Sequence, residues 1–231
     1  MKSFIKTFYF INIFAIALGI FEAAVVIYIR EIYYPEGFSF PLVPMSGHLV
    51  LTEFLREVAS ILILISIAII AGRNIAQRFA YFIYTFAIWD LVYYLFLWLI
   101  VDWPQSLLTW DILFLIPVSW TGPVLAPVLT SLLMIALALV ISKANYRLHH
   151  HFSIHRKEWL LLVSGALFIF ISFIWDYSLY IMKYSSDSGI DFKSYSYEYT
   201  PEKFNWLAFG IGFLIIIYTI RIIFNRIKAI Y

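Results

Sequence analysis

The chain has 231 residues, 63% of them hydrophobic and only 13% charged, with a formal net charge of +2 and no cysteine. A soluble domain holds about a quarter charged residues and roughly half apolar ones, so this chain is too apolar to bury its hydrophobic surface in one soluble core. The charge balance argues against nucleic-acid binding, and the lack of cysteine removes disulfides, thiolate metal sites, iron–sulfur clusters and cysteine nucleophiles.

The apolar residues come in continuous runs, the pattern of membrane helices and not of a β-barrel. The first run, Thr7–Ile29, is about 23 residues, which is spanning length. Lys2 and Lys6 ahead of it could open a signal peptide, but the run continues past Ala24 to Ile29, so a retained helix is expected. Leu49–Ala71 and Phe79–Val101 are the second and third spans. The apolar region Leu107–Ile141 is broken by Pro117, Gly122, Pro123 and Pro127. Its second part, Val124–Ile141, is about 18 residues and can span. Pro127 lies in the first turn, where the N–H it lacks has no helical partner anyway. Leu107–Ile116 is too short to cross a hydrocarbon core of about 30 Å, which leaves a re-entrant or interfacial helix, or a thin seventh span. Trp159–Ile181 and Phe204–Ile223 complete the set.

Loop charge decides between six and seven crossings. With six, Lys2, Lys6, Arg73, Arg78, Lys143, Arg147, Arg156, Lys157, Arg221, Arg226 and Lys228 share one side. Arg30, Lys183, Lys193 and Lys203 take the other. Basic residues concentrate on the cytoplasmic side of membrane proteins, and a seventh crossing would put the Lys143–Lys157 loop and the C-terminus outside. The expected fold is therefore all-α: a polytopic membrane helical bundle over residues 1–231, read as one domain. It has six transmembrane helices plus one short re-entrant or interfacial helix, 107–116, on the outer side. Both termini are expected in the cytoplasm, in a bacterial inner (plasma) membrane. The outer loop Lys183–Lys203, rich in tyrosine and acid, is expected to fold over the bundle as a lid.

Ionisable groups at membrane depth are costly and persist mostly where they meet a wet cavity, a partner charge or a ligand. Glu22, Glu53, Glu57, Asp90, Asp111 and Asp176 lie in or beside the apolar runs, with Arg30 and Arg56. A rise of about 1.5 Å per residue puts all of these acids towards the outer side, Asp90 deepest at roughly 16 Å. One outward-opening polar pocket is the economical reading. Glu53 and Glu57 are i and i+4 on one helix face that Ser60 continues, and Arg56 is placed to pair with Glu53. Trp89-Asp90, Trp110-Asp111 and Trp175-Asp176 repeat a pairing in which the aspartate would line the pocket while the tryptophan closes the lipid side. A salt-bridge network that only locks helices together is the competing reading.

His149, His150, His151 and His155 sit in the basic loop and His48 near the pocket, so no facing pair exists for a haem, and haem and iron–sulfur groups are not expected. A Glu-x-x-His pattern for a di-iron site is absent. A divalent cation held by Glu53, Glu57 and Asp90 remains a candidate, since oxygen-only ligands suit magnesium, calcium or manganese.

Ser46-Gly47-His48 resembles one element of membrane lipid phosphatases of the phosphatidic-acid type, but the other two elements of that family are missing. The chain also lacks the Gly-x-Ser-Gly nucleophile of rhomboid proteases and the last-helix lysine of retinal proteins. Three functions follow. The first is a transporter, channel or receptor-like protein whose pocket takes a proton, a metal cation or a cationic solute. The second is an accessory subunit of a larger membrane complex or a homo-oligomer, with membrane lipids as its other partners. The third is an intramembrane enzyme that works on a lipid or isoprenoid through a carboxylate acid. The residues that would carry a ligand are Glu53, Arg56, Glu57 and Asp90, then Glu22, Asp111 and Asp176.

Overall fold

A computed structural model describes residues 2–116, 118–148, 151–184 and 197–229. It contains α1 (Lys2–Tyr33), α2 (Gly47–Ala71), α3 (Ile75–Val101), α4 (Leu125–Arg147), α5 (Arg156–Tyr184) and α6 (Trp206–Ala229). All six are long and apolar enough to cross a membrane. Large apolar side chains such as Ile70, 80% exposed, and Leu207, 77% exposed, point away from the bundle. So much outward apolar surface suits hydrocarbon and not water, consistent with an integral membrane protein.

Polar side chains mark where the helices begin. Ser46 Oγ accepts the Leu49 N–H at 3.3 Å at the start of α2, which gives the Ser46-Gly47-His48 segment a local role as a cap. Asn74 Oδ1 accepts the Gln77 N–H at 2.8 Å at the start of α3. Glu158 reaches back to the His155 N–H at 2.7 Å, half of a capping box at the start of α5. α3 ends on Asp102, whose φ of 52° is left-handed, a conformation aspartate tolerates better than most residues.

α3 is the central helix and packs against α1, α2 and α4; α5 pairs with α6, which also meets α4. Small residues allow the close approaches. Ala76, Ala80, Ala87, Ala138 and Ala144 are all buried between α3 and its neighbours. Where α5 meets α6, a Cβ on Gly212 would stand 2.5 Å from the Gly165 carbonyl oxygen and 2.9 Å from the Ile169 backbone nitrogen. Backbone cannot move aside as a side chain can, so Gly212→Ala is expected to destabilise the protein by about 1–3 kcal/mol. Thermal unfolding in detergent measures this, and an unchanged transition would show that the two helices part freely.

The segment between α3 and α4 differs from the expected helix. Trp110–Phe114 is a strand, β1, paired antiparallel with β2 (Trp120–Pro123) in the register Trp110 to Pro123, Asp111 to Gly122 and Ile112 to Thr121. The physical reason begins with one of the prolines that mark the break. Pro123 favours an extended conformation for Gly122 before it. Trp110, Ile112, Phe114, Trp120 and Thr121 are strand formers. A two-stranded hairpin alone is marginal, and this one gains support from packing. The would-be Cβ of Gly122 lies 2.9 to 3.2 Å from the rings of Phe204 and Phe173, and Phe114 stacks on Phe86 at 6.0 Å. The expected lid over Lys183–Lys203 falls largely on residues 185–196, which lie outside the described residues, as do His149 and His150.

Candidate functional site

Four of the predicted acids and one arginine come together where α1, α2 and α3 meet below the hairpin. Arg56 is the hub. Its Nε donates to Glu53 Oε2 at 2.9 Å, its Nη2 lies 2.8 Å from the same oxygen, and its Nη1 pairs with Glu22 Oε1 of α1. Ser60, one turn further along α2, donates to the other Glu22 oxygen at 3.3 Å. The i, i+3, i+4 spacing read from the sequence is what lets Arg56 hold Glu53 on its own helix while Arg56 and Ser60 reach Glu22 from successive turns.

Glu57 is buried at 7% exposure and does not pair with Arg56. Its two oxygens instead accept the backbone N–H of Leu115, at 3.2 and 2.9 Å, just past the end of β1. Leu115 is outside the ladder, so its amide needs an acceptor from elsewhere at this depth. Asp90 of α3 accepts the Ser131 hydroxyl of α4 at 2.8 Å.

A cavity of about 60 Å³ lies between these groups, lined by Glu22, Arg56, Glu57, Asp90, Trp89, Tyr93 and Tyr94 and roofed by Ile112, Leu113 and Phe114 of the hairpin. That is room for a few waters or one small ion. Three carboxylates and one arginine share its wall, and that arginine also holds Glu53. Acidic groups therefore outnumber basic ones within the cluster.

Two predicted site residues are elsewhere. Asp111 is 1% exposed and pairs with Arg30 of α1 at 3.1 Å, with the Tyr94 hydroxyl donating to its second oxygen at 3.2 Å. The Arg30 guanidinium is clamped between Trp103, 3.7 Å away, and Phe38, 4.4 Å away. Burial pushes the Asp111 carboxyl above the usual carboxylate range, against the pull of Arg30 and the Ile112 N–H. Asp176 belongs to the far side of the hairpin. It accepts the Tyr199 hydroxyl at 2.8 Å and the backbone N–H groups of Glu202 and Lys203 at 3.1 and 3.3 Å, fastening the approach to α6 onto α5. Burial in turn pushes the Tyr199 phenol upward.

The expectation that each tryptophan closes the lipid side fails for Trp89. It is 5% exposed and packs inside against Phe86 and Phe114, with its indole N–H meeting no acceptor among the described residues. Trp175, 44% exposed, does face outward. The Trp-Asp dipeptide puts the two side chains about 100° apart on a helix, so burial of the aspartate leaves the tryptophan's direction open.

Ser131, Tyr93, Tyr94 and the Leu115 amide line or serve the site without having been singled out in the sequence, and Trp89 lines it where it was expected to face lipid. Thr130-Ser131 in the apolar first half of α4 was an available signal for Ser131. Among the described residues no group of three or more acidic or histidine side chains is arranged to hold a metal ion. Glu53 does not reach the wall that Glu57 and Asp90 share, so the expected cage of those three residues is not formed here. No protein-family model matches the chain, and no curated protein or solved structure matches it either.

Proposed function

We propose that this is an integral membrane protein of the transport or receptor type, whose cavity between Glu22, Arg56, Glu57 and Asp90 binds a proton or a small monovalent cation. The observation that carries the reading is the charge balance of the cavity. Three carboxylates from three helices face a space of about 60 Å³ together with one arginine. Uncompensated charge is expensive at membrane depth, and a positive ligand relieves it. Size sets the class of ligand. Pockets for organic ligands run to about 300–1,000 Å³, so neither a lipid tail nor an organic solute fits this space as it stands. The intramembrane-enzyme alternative draws no support from it.

In this reading the end of the bundle that carries the hairpin faces outward and the basic loops face the cytoplasm, in line with their lysines and arginines. The charge-network alternative, a subunit whose ions serve only to hold helices together, has a specific observation in its favour: Arg56 bonds both Glu22 and Glu53.

The test uses the full chain in lipid vesicles, with infrared difference spectra of the carboxyl groups recorded on steps of pH and of sodium concentration. Glu57→Gln and Asp90→Asn are each expected to remove part of the carboxyl signal. The double variant is expected to remove most of it and to abolish any ion flux seen by an internal dye. A pH step without sodium and a sodium step at fixed pH separate the two ligands. Spectra of the double variant that match the parent in both arms would end the proposal and leave the structural network.

A further inference from the structure

We propose that the groove between α5 and α6, at the end of the bundle away from the hairpin, binds one anionic phospholipid. The inference rests on the helices being membrane spans and is independent of what the cavity binds. The groove has a volume of about 920 Å³, the scale of an organic ligand and not of an ion.

Its chemistry changes along its length. Arg156 and Lys157 stand at the mouth, both exposed, with His155 beside them. Leu160, Leu161 and Ile222 form the walls, and Tyr218 stands further along α6. Tyr218, Ile222 and Arg226 occupy successive turns of one α6 face, a run of about 12 Å along the axis. A cationic mouth joined to an apolar channel of that length matches a phosphate headgroup followed by the upper part of an acyl chain. Basic pockets between membrane helices on the cytoplasmic side select anionic headgroups in this way.

The charge of the groove is not cancelled from within. Among the described residues Glu158 is the one carboxylate in its lining. It is already engaged by Arg226, at 2.9 Å from Nε and 2.8 Å from Nη2, and by the His155 N–H. Arg226 also lies 4.7 Å over the Phe152 ring and donates to the Ser153 carbonyl, so the pair forms a fixed floor. Arg156 and Lys157 are left to meet an anion from outside. Their long apolar stems can lie along the leucines while the charged ends reach the phosphate.

The experiment measures energy transfer from the protein's tryptophans to pyrene-labelled phosphatidylglycerol, or to the phosphatidylcholine analogue, with the purified full chain in neutral detergent. Phosphatidylglycerol is expected to bind saturably and phosphatidylcholine far more weakly. Arg156→Glu with Lys157→Glu is expected to weaken phosphatidylglycerol binding on the order of tenfold or more. Leu160→Phe, which narrows the channel without changing charge or adding a tryptophan donor, is expected to weaken it as well. Lys6→Glu with Lys143→Glu, the same charge change at exposed sites on other helices, is expected to leave it unchanged. An equal loss in both charge pairs would overturn the proposal in favour of diffuse attraction. So would equal binding of the two lipids, or complete displacement by inorganic phosphate, which would make the mouth a simple anion site.

Discussion

Arg56→Ala is expected to destabilise the protein by on the order of 3–5 kcal/mol, the cost of removing one partner from a buried charge network. The reason is the number of groups that depend on it. Glu22 and Glu53 both lose their cation, and the Arg56 side chain is only 18% exposed, so water cannot readily replace it. α2 makes its main approach to α3, and it is the side chains of Arg56 and Ser60 that tie it to α1. Neutralising the acids in the same molecule, with Glu22→Gln and Glu53→Gln added to Arg56→Ala, is expected to recover most of the stability. Thermal unfolding in detergent reads both variants. An Arg56→Ala protein as stable as its parent would mean that the guanidinium is not the hub of the cluster.

Asp111→Ala is expected to have a comparable effect, again on the order of 3–5 kcal/mol, by a different route. Here the orphan is Arg30, buried at 7% exposure between Phe38 and Trp103 with no second carboxylate paired to it among the described residues. Replacing both partners with apolar residues of similar size, Arg30→Met with Asp111→Leu, is expected to cost far less than the single change, because no isolated charge stays behind. The same unfolding assay compares the two, and a single variant that loses less than the pair would reverse the assignment. The Arg30–Asp111 pair joins residues 81 positions apart. It fixes the hairpin to α1 and brings Phe38 and Trp103, from two separate loops, against one guanidinium.

Comparison of these two clusters shows what a sequence of this kind displays and what it hides. The six spans are visible because an unbroken apolar run of about 20 residues has few other uses. Their ends were not: α4 continues to Arg147 and α6 to Ala229, past the last apolar residues of the runs ending at Ile141 and Ile223. Polar residues at a helix end are lost to a hydropathy criterion although the helix carries on into the interface. The hairpin was hidden for a related reason, since a short apolar stretch fits a strand and a helix equally well.

For the site, depth was legible and direction was not. Counting residues from the helix ends put Glu22, Glu53, Arg56, Glu57 and Asp90 on the same, outer side at different depths, and all five are drawn into one cluster or its wall. The same count gave no angle around the helix axis, so Asp176, on the same side, was grouped with them although it serves the start of α6. Asp111 was read as part of the pocket wall because its strand could not be seen, and with it the pairing to Arg30.

The bond from the Leu115 amide to Glu57 has a mechanical consequence. A backbone N–H stripped of its acceptor inside hydrocarbon costs several kcal/mol. If β1 swings away from α2, that amide has to find water at once. A dry opening of the roof therefore carries that cost, and the favoured route is for the hairpin to lift as solvent floods in behind it, so that access and wetting occur as one event.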